Sequence, residues 1–235
     1  MKKWYNKLFL NDIRSVVEKY NLIQNGDNIL VGLSGGKDSI FLIYALNLLR
    51  EKSYLDFSIS AIHIDIGINL DMAPIEYYLD SMAIPYLYEN INILDKILNE
   101  KNPCYFCSKI KRGTIARISK EKRFNKIAYG HHLTDLVNTF LLNIIYTGKF
   151  HTFKPNTYNS KHDLYLIRPL IYVKEEVIEK VVVEESLPLG IGKLCPQDRE
   201  NKRNEIGILI NDIKGKYPDF EEKVLKSIEN GLWKI

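Results

Sequence analysis

A glycine-rich hexapeptide stands between two apolar runs, and its residue types suit the binding of a phosphate chain. It consists of Ser34, Gly35, Gly36, Lys37, Asp38 and Ser39. Adjacent glycines let a backbone approach an anion without a Cβ, and a following helix offers unpaired N–H groups and the positive end of its dipole. The serines add hydroxyl donors, Lys37 adds a positive charge and Asp38 adds a carboxylate for magnesium. We therefore predict a nucleotide-binding loop.

The surroundings of this loop favour a particular phosphate chemistry. The run 29–33 reads as a strand and the run 40–49 as an amphipathic helix, so the loop lies on a strand-to-helix turn. A chance turn at the surface would not combine all three features. A Walker A loop, which holds a nucleotide for cleavage at the γ-phosphate, needs a different pattern. We expect cleavage between the α- and β-phosphates instead.

Three cysteines form a second candidate site. Cys104 and Cys107 follow Pro103 in a C-x-x-C pattern, and Cys195 lies far downstream. This odd, small number does not suit a secreted disulfide framework, so we expect thiols or metal ligands. Structural zinc would need a histidine as a fourth ligand, whereas three thiolates suit a [4Fe–4S] cluster with one open iron. A redox pair or a persulfide relay is a further alternative, and the residues alone leave all three open.

A basic run follows the C-x-x-C pattern. Eight basic residues stand against the single acid Glu121; they are Lys109, Lys111, Arg112, Arg117, Lys120, Lys122, Arg123 and Lys126. A solvated helix face and a track for a nucleic-acid backbone both fit this pattern. The net charge of +4 permits a nucleic-acid partner without requiring one.

Polar residues at the ends of two further predicted strands are candidates for nucleotide contacts. Asp65 ends an apolar run and could meet the nucleotide or its magnesium, or simply cap the strand. Gly130, His131 and His132 follow another apolar run, with Asp135 close behind. Adjacent histidines project in different directions, so a shared metal is disfavoured. We expect His131 to contact substrate or nucleotide.

The elements that position these residues alternate between strands and helices. Strands are predicted at 28–33, 57–65, 86–88 and 126–130, and helices at about 6–20, 38–51, 73–82, 91–99, 108–122, 134–146, 174–186, 199–215 and 218–230. The segment 146–163 reads as a long exposed loop. Such alternation predicts an α/β fold with a doubly wound parallel sheet, here of about five strands, an N-terminal helix and C-terminal helices. Ligands bind at the carboxyl ends of the strands in such sheets, where the candidate residues fall.

Composition limits the class of protein. With 46% apolar and 26% charged residues, the 235-residue chain resembles an ordinary globular domain. We expect one domain over 1–235, with an N-terminal helical segment at 1–24, a core at 25–190 and a C-terminal part at 191–235. No run approaches the length of a membrane span, so we expect a cytoplasmic protein without a membrane partner.

Several segments together resemble a known family. The loop resembles the PP-loop of the N-type ATP pyrophosphatases, whose fold is like that of the adenine nucleotide alpha hydrolases. In order and spacing the chain is similar to the tRNA-cytidine 2-sulfurtransferases (TtcA), which are related to the tRNA-uridine 2-sulfurtransferases (TtuA). The matching residues are Ser34–Ser39; Pro103, Cys104 and Cys107 with Lys111, Arg112 and Gly113; Gly130, His131 and His132 with Asp135; 143–149; Arg168, Pro169 and Leu170; and Leu194, Cys195 and Gln197.

The resemblance implies roles for these residues. Cys104, Cys107 and Cys195 would bind a [4Fe–4S] cluster, and Asp38 would bind Mg²⁺. ATP would contact the six loop residues with Asp65, Gly130 and His131. Lys111 and Asp135 would handle protons or orient the base. RNA contacts would come from Lys109, Arg112, Lys120, Lys122 and Arg123.

Two positions depart from the pattern of the family. Thr134 stands where the first of two paired aspartates is usual. Lys111 stands where cytidine enzymes tend to carry arginine and uridine enzymes carry a catalytic lysine. The extra cysteine pairs that build zinc fingers in the uridine enzymes are missing from the sequence, which favours cytidine as the target.

The function implied by the resemblance is ATP-dependent tRNA thiolation. The C2 oxygen of a pyrimidine would be adenylated and replaced by sulfur, forming 2-thiocytidine at position 32 of the anticodon loop. The sulfur would come from a cysteine desulfurase or from free sulfide, and the chain could form a homodimer. Alternatives are a 2-thiouridine synthase, a ligase like tRNA-lysidine synthetase, which shares the adenylation step but needs no thiols, and a non-catalytic module that binds nucleotide or RNA.

Overall fold

Six strands form one sheet in the computed structural model of the protein, which describes residues 4–192 and 202–233. The strands are β1 (Asp27–Leu33), β2 (Phe57–Asp65), β3 (Tyr86–Asn90), β4 (Lys126–Ala128), β5 (Asn156–Asn159) and β6 (Leu164–Ile167). Their order is β3-β2-β1-β4-β6-β5, and all neighbours pair in parallel except β5, which is antiparallel to β6. The predicted doubly wound α/β class is confirmed.

The sheet has one strand more than the expected number of about five, and the expectation of a long loop over 146–163 was wrong. Residues 156–159 form the edge strand β5, which pairs with β6 from Asn156 opposite Ile167 to Asn159 opposite Leu164. The sequence of β5, Asn-Thr-Tyr-Asn, has no apolar alternation, because an edge strand with two half-exposed faces needs none. The pairing with β6 therefore depends on backbone hydrogen bonds that hydrophobic patterning does not reveal.

The helices begin and end close to the predicted positions. A π-helical turn at Asn6–Leu10 leads into α1 (Asn11–Lys19), which is followed by α2 (Lys37–Lys52), α3 (Ala73–Ser81), α4 (Leu94–Leu98), α5 (Pro103–Glu121), α6 (Leu133–Thr147), α7 (Glu175–Glu184), α8 (Lys202–Lys216) and α9 (Phe220–Gly231). Helix α5 begins earlier than predicted, with Pro103 in its first turn, where a missing N–H costs nothing. In the described ranges, no helix combines the length and apolarity needed to cross a bilayer.

Hydrophobic cores cover both faces of the sheet. One core packs side chains of α1, α2, α6 and α7 against Ile29 and Val31 of β1. The other packs Ile115 and Ile118 of α5 against Leu30 of β1 and its neighbours. Apolar residues at successive positions of β1 therefore serve opposite faces, as expected for a central parallel strand. Helix α5 is thereby held across the sheet from α2.

The central strands β1 and β4 place two loops side by side. Val31 pairs with Ala128, so the loop after β1 and the turn after β4 leave the same edge of the sheet. The turn approaches the start of α2 closely, because a Cβ built on Gly130 would lie 2.8 Å from the carbonyl oxygen of Asp38. Strand order reverses at this point, and ligands bind there in doubly wound sheets.

Candidate active site

The nucleotide loop is ordered by its own two serines. The Ser39 hydroxyl donates to the Gly36 carbonyl at 2.9 Å, and its oxygen accepts the Ser34 N–H at 3.2 Å. The Ser34 hydroxyl oxygen accepts the Gly36 N–H at 3.2 Å. Ser39 is buried, so its hydroxyl orders the loop backbone from the side of the protein interior. Ser34 is exposed and remains a candidate donor to phosphate.

Gly35 has no tolerance for a side chain. Its φ is +86°, in the left-handed region, and an added Cβ would lie 2.3 Å from a methyl group of Leu70. Strain and a clash would therefore act together at this position. The Gly35 carbonyl also accepts the N–H of Gly190 at 2.9 Å, so the chain from a distant part of the sequence packs against the loop.

Charged groups on α7 hold Lys37 in place. Its Nζ lies 2.6 Å from Glu175, 3.8 Å from Glu179 and 3.5 Å from Asp38. Burial raises the pKa of Asp38, and the charges of Asp135 and Glu175 add to this rise while His132 and Lys37 oppose it. One oxygen of Asp38, Oδ1, is buried and makes no hydrogen bond to the described residues, and its neighbours are Lys37 Nζ at 3.5 Å and His132 Nε2 at 3.8 Å. Such an oxygen fits a cation ligand.

A cavity of about 400 Å³ opens beside the loop, and we call it the thiol cavity. Its lining residues are Gly32, Leu33, Ser34, Ile64, Ile97, Pro103, Cys104, Cys107, Ser108, Lys111, Arg112, Ile115, Tyr129, His131 and Arg168. Cys104, Cys107 and Lys111 fall at helical spacing on one face of α5, which is why they share this wall. The structure therefore brings the nucleotide loop, two thiols and Lys111 to one space.

The thiol cavity has a strongly one-sided charge. Lys111, Arg112 and Arg168 line it, whereas the described lining residues include no aspartate or glutamate. Cys104 is exposed and Cys107 is half-buried. Cationic surroundings attract anions. The cavity is therefore suited to phosphate and to anionic sulfur.

Cys195 lies outside the described residues. The chain at 190–191 runs beside the nucleotide loop, since the Gly190 N–H donates to the Gly35 carbonyl at 2.9 Å, and Ile191 exchanges backbone hydrogen bonds of 2.9 Å with Asp71. No group of three or more His, Cys, Asp or Glu side chains suited to a metal occurs within 4–192 and 202–233. A cluster site made of the three cysteines thus stays a prediction.

Asp135 lies in a different cavity from Lys111. This acidic cavity of about 410 Å³ is lined by Asp38, His132, Thr134, Asp135, Asn138, Glu175, Arg203, Asn204, Gly207, Ile208 and Asn211. Asp135 accepts the His132 N–H at the start of α6 and forms an ion pair with Arg203. Its carboxylate caps a helix and faces α8, so a part for Asp135 in proton transfer at the thiols stays a prediction.

Asp65 uses both carboxylate oxygens within the chain. Oδ1 accepts the N–H groups of Gly67, Ile68 and Asn69 at 2.8, 3.1 and 3.4 Å, and Oδ2 accepts the Tyr88 hydroxyl at 2.7 Å. Burial raises the pKa of Asp65, but these hydrogen bonds outweigh it and lower the pKa overall. Asp65 therefore orders the loop 66–69, and a direct contact with ATP stays a prediction.

Two residues that the sequence did not predict accompany His131. Tyr129 and Arg168 follow β4 and β6, which are neighbours in the sheet, and both line the thiol cavity with His131. The His131 ring packs 5.8 Å from Tyr129 and 5.1 Å from Phe153. A charged residue directly after the apolar strand β6 was a signal for Arg168. For Tyr129, the sequence offered no indication of a role in the site other than its position directly before Gly130.

Stability should depend on pH through His131. Burial, together with the charge of Arg168, lowers its pKa to about 4. An unfolded histidine titrates near 6.5, so the unfolded chain binds a proton first and stability falls as the pH drops from about 6.5 towards 4. In urea unfolding at pH 7 and pH 5, His131→Gln should lose less stability than the wild type, by on the order of 1 to 2 kcal/mol.

The control for this prediction is His151→Gln, which changes an exposed histidine. That variant should follow the wild type at both pH values. Equal losses for His131→Gln and the wild type would contradict a buried neutral imidazole at this position.

The basic residues between Lys109 and Lys126 lie in different environments in the structure. Lys126 is buried in an ion pair with Asp27 at 2.6 Å, and Arg117 pairs with Glu89 and Glu121, so these two are neutralised. Lys111 and Arg112 line the thiol cavity, which leaves four exposed cations without an ion pair to the described residues: Lys109, Lys120, Lys122 and Arg123. An RNA contact by these residues stays a prediction.

Known proteins resemble this chain in both sequence and fold. Residues 8–190 match the family model of the PP-loop domain. The tRNA-cytidine(32) 2-sulfurtransferases of Burkholderia mallei strain SAVP1 and Burkholderia pseudomallei strain K96243 are each 35% identical over 235 residues, which cover 96% of this chain and 70% of the relative.

Two solved structures share the fold at low sequence identity. The U34-tRNA thiolase NcsA from Methanococcus maripaludis, with its [4Fe-4S] cluster, has a TM-score of 0.77 at 22% identity and covers 96% of this chain and 78% of its own. An NH3-dependent NAD synthetase from Campylobacter jejuni has a TM-score of 0.50 at 16% identity, with 80% and 75% covered. The loop geometry, the sheet order and the match over nearly the whole chain agree, and the chain belongs to the PP-loop family and, within it, to the tRNA-cytidine 2-sulfurtransferases.

Proposed function

We propose that this protein is an ATP-dependent tRNA thiolase that forms 2-thiocytidine at position 32 of the anticodon loop. One observation carries the proposal: Ser34 of the nucleotide loop, the thiols of Cys104 and Cys107, and Lys111 all line one cavity. Adenylation of a base and delivery of sulfur to the same carbon require these groups to meet in one place. The names of the relatives agree with this activity.

The chain's thiols fit the iron–sulfur cluster that this activity would use. Cys104 and Cys107 lie three residues apart on one face of α5, and the wall between them and the loop holds no competing carboxylate among the described residues. Cys195 would be the third ligand, and it follows Gly192 in sequence, whose backbone runs beside Leu70. When bound, a [4Fe–4S] cluster with three thiolate ligands would supply an iron that can hold sulfide.

The first chemical step belongs to the nucleotide loop. Its backbone N–H groups and Lys37 would bind the phosphates of ATP, and Asp38 would bind Mg²⁺ through Oδ1, which makes no hydrogen bond to the described residues. The C2 oxygen of the base attacks the α-phosphorus, the bond to the β-phosphate oxygen breaks, and pyrophosphate leaves. Charge that develops on the phosphates is stabilised by preorganised donors. The base is then bonded through oxygen to AMP.

The second step replaces that oxygen. Hydrosulfide attacks C2, the C2–oxygen bond breaks, and AMP leaves with the electron pair; the proton of the hydrosulfide passes to a base. Lys111 lines the cavity one helical turn beyond Cys107, where its cationic side chain would attract the sulfur anion and orient the adenylated base. The products are 2-thiocytidine, AMP and pyrophosphate.

The test is a product analysis under anaerobic conditions. Protein reconstituted with iron and sulfide, supplied with ATP, Mg²⁺ and tRNA, should release AMP and pyrophosphate and convert cytidine to 2-thiocytidine, measured by mass spectrometry of nucleosides. The reconstituted chain should hold about four irons. ADP and phosphate as products, 2-thiouridine, lysine incorporation, stoichiometric zinc with no iron-dependent activity, or RNA binding without pyrophosphate release would each contradict the proposal.

The exposed end of α5 is proposed as a contact for the tRNA backbone. Replacing Lys120, Lys122 and Arg123 together with glutamine should weaken tRNA binding and reduce the slope of log K against log salt by about 0.7 to 0.9 per lost phosphate contact. Filter binding across a salt series measures both effects. These residues lie far along the helix from the cysteines, so iron content and the melting temperature should stay at wild-type values.

A triple variant with the same change in charge provides the control. Lys52, Lys216 and Lys226 are exposed and lie on α2, α8 and α9. Their replacement with glutamine should leave the salt slope unchanged. Normal tRNA binding by the α5 triple would show that this end of the helix is only a solvated face.

A further inference from the structure

One end of the thiol cavity carries polar atoms that the protein itself does not use. Tyr129 Oη, His131 Nδ1 and Arg168 Nε are buried and have no hydrogen-bond partner in the described part of the chain. All three residues line the cavity. Buried polar groups are nearly always hydrogen-bonded in native proteins, because an unpaired one costs free energy. Three such atoms on one wall indicate a ligand with matching groups.

Arg168 is a buried donor without an anionic partner. Its side chain is 9% exposed, its Nη1 donates to the Lys154 carbonyl at 2.6 Å, and its guanidinium lies 5.0 Å from the centre of the Phe153 ring. Within the described residues no carboxylate pairs with it. A guanidinium has N–H donors only, so whatever meets Nε must accept a hydrogen bond.

His131 and Tyr129 differ from Arg168 in what they can offer. Burial lowers the pKa of His131 to about 4, so its imidazole is neutral near pH 7 and one of its nitrogens accepts hydrogen bonds. The Tyr129 hydroxyl can donate or accept. The wall therefore combines one obligate donor with two groups that can act as acceptors.

We propose that Tyr129, His131 and Arg168 recognise the Watson–Crick edge of the target cytosine. This inference rests on the proposed function and adds how the base is selected. Arg168 Nε–H donates to N3 of cytosine, and the two N–H groups of the exocyclic amino group at C4 donate to His131 Nδ1 and Tyr129 Oη. The C2 oxygen, on the other side of N3, is then left for the nucleotide loop. Bases splayed out of RNA loops are commonly recognised through this edge.

The same groups reject uracil. Uracil has an N–H at N3 and a carbonyl at C4, the reverse of cytosine, so its N3–H would face the Arg168 N–H. A site that leaves buried donors unpaired discriminates strongly against the wrong substrate. Cytosine is therefore preferred, because the Arg168 guanidinium has no acceptor for the N3–H of uracil.

The test uses the protein reconstituted with iron and sulfide and supplied with ATP and Mg²⁺, and it follows adenylation, which needs no sulfur donor. Two synthetic anticodon stem-loops that differ only in C or U at position 32 are compared by pyrophosphate release and by fluorescence anisotropy. Wild type should prefer the C32 stem-loop. Arg168→Gln, whose amide can present an acceptor to N3–H, should reduce the C32 to U32 preference in kcat/KM by about tenfold or more.

Tyr129→Phe separates recognition from folding. It removes only a buried hydroxyl without a partner, so thermal unfolding should be unchanged or slightly improved, whereas kcat/KM for the C32 stem-loop should fall about tenfold. Tyr86→Phe is the matched control, because Tyr86 Oη is also buried without a partner in the described structure but lies outside the thiol cavity. That variant should keep the wild-type preference.

The outcomes distinguish this inference from the proposed function. A wild-type chain that releases no pyrophosphate with either stem-loop overturns both. A wild-type chain that prefers C32, together with unchanged preference and unchanged kcat/KM in Arg168→Gln and Tyr129→Phe, overturns the recognition site alone. If Arg168→Gln fails to fold after losing its bond to Lys154, Tyr129→Phe decides: wild-type behaviour overturns the site, and a selective loss on C32 supports it.

Discussion

Lys37→Ala is expected to abolish pyrophosphate release, with a loss of about a hundredfold or more, while iron content after reconstitution stays at the wild-type level. Lys37 is the first residue of α2, beside the loop glycines, and is the loop's only basic side chain. Its charge stabilises the phosphates as the α–β bond breaks, whereas the thiols lie on α5. Pyrophosphate release at saturating tRNA and iron determination on the same sample measure the two effects.

Two further variants sharpen this prediction. Lys52→Ala changes an exposed lysine in the last turn of the same helix and should keep full activity. Glu175→Gln should lower the KM for ATP a few-fold, because the phosphates compete with Glu175 for the Lys37 ammonium, 2.6 Å away. If Lys37→Ala, Asp38→Ala and Gly35→Val all retained activity within about threefold of wild type, the loop would not be the site of a phosphate-transfer step.

The nucleotide loop and the C-x-x-C pattern could be predicted because their chemistry is local. The glycines and serines at 34–39 are contiguous, and their hydrogen bonds run from Ser39 back to Gly36 and Ser34. Cys104 and Cys107 share a helix face by spacing alone, although Pro103 begins the helix where a turn was expected. Patterns of this kind need no knowledge of the sheet.

It was harder to predict which side chains from distant segments of the sequence line the same cavity. Arg168 and Tyr129 line the same cavity because β6 pairs with β4, and the four-residue strand β6 was not among the predicted strands. Lys111 and Asp135 looked like partners in one site, but they lie in separate cavities because α5 and α6 pack on opposite faces of the sheet. Asp65 has a carboxylate at the end of a strand, but one of its oxygens already accepts hydrogen bonds from the loop 66–69 and the other accepts the Tyr88 hydroxyl.

The second large effect is expected at Lys111. Lys111→Ala should stop formation of 2-thiocytidine while tRNA affinity, iron content and pyrophosphate release stay near wild type. Its side chain lines the thiol cavity at a distance of one helical turn from Cys107, so it acts where sulfur meets the adenylated base. Lys226→Ala, which changes an exposed lysine on α9, is the control and should thiolate normally.

Cysteine variants complete the separation of the two steps. Cys104→Ala, Cys107→Ala and Cys195→Ala should each lose iron and thiolation but retain pyrophosphate release, because the loop at Ser34 to Ser39 does not depend on the thiols. Lys111→Ala should lose thiolation with iron retained. Thionucleoside formation, iron content and pyrophosphate release measured together on all four variants give a distinct pattern for each step. If Lys111→Ala lost pyrophosphate release as well, its role would lie in adenylation; if Cys195→Ala kept iron and activity, the third ligand would be a different residue.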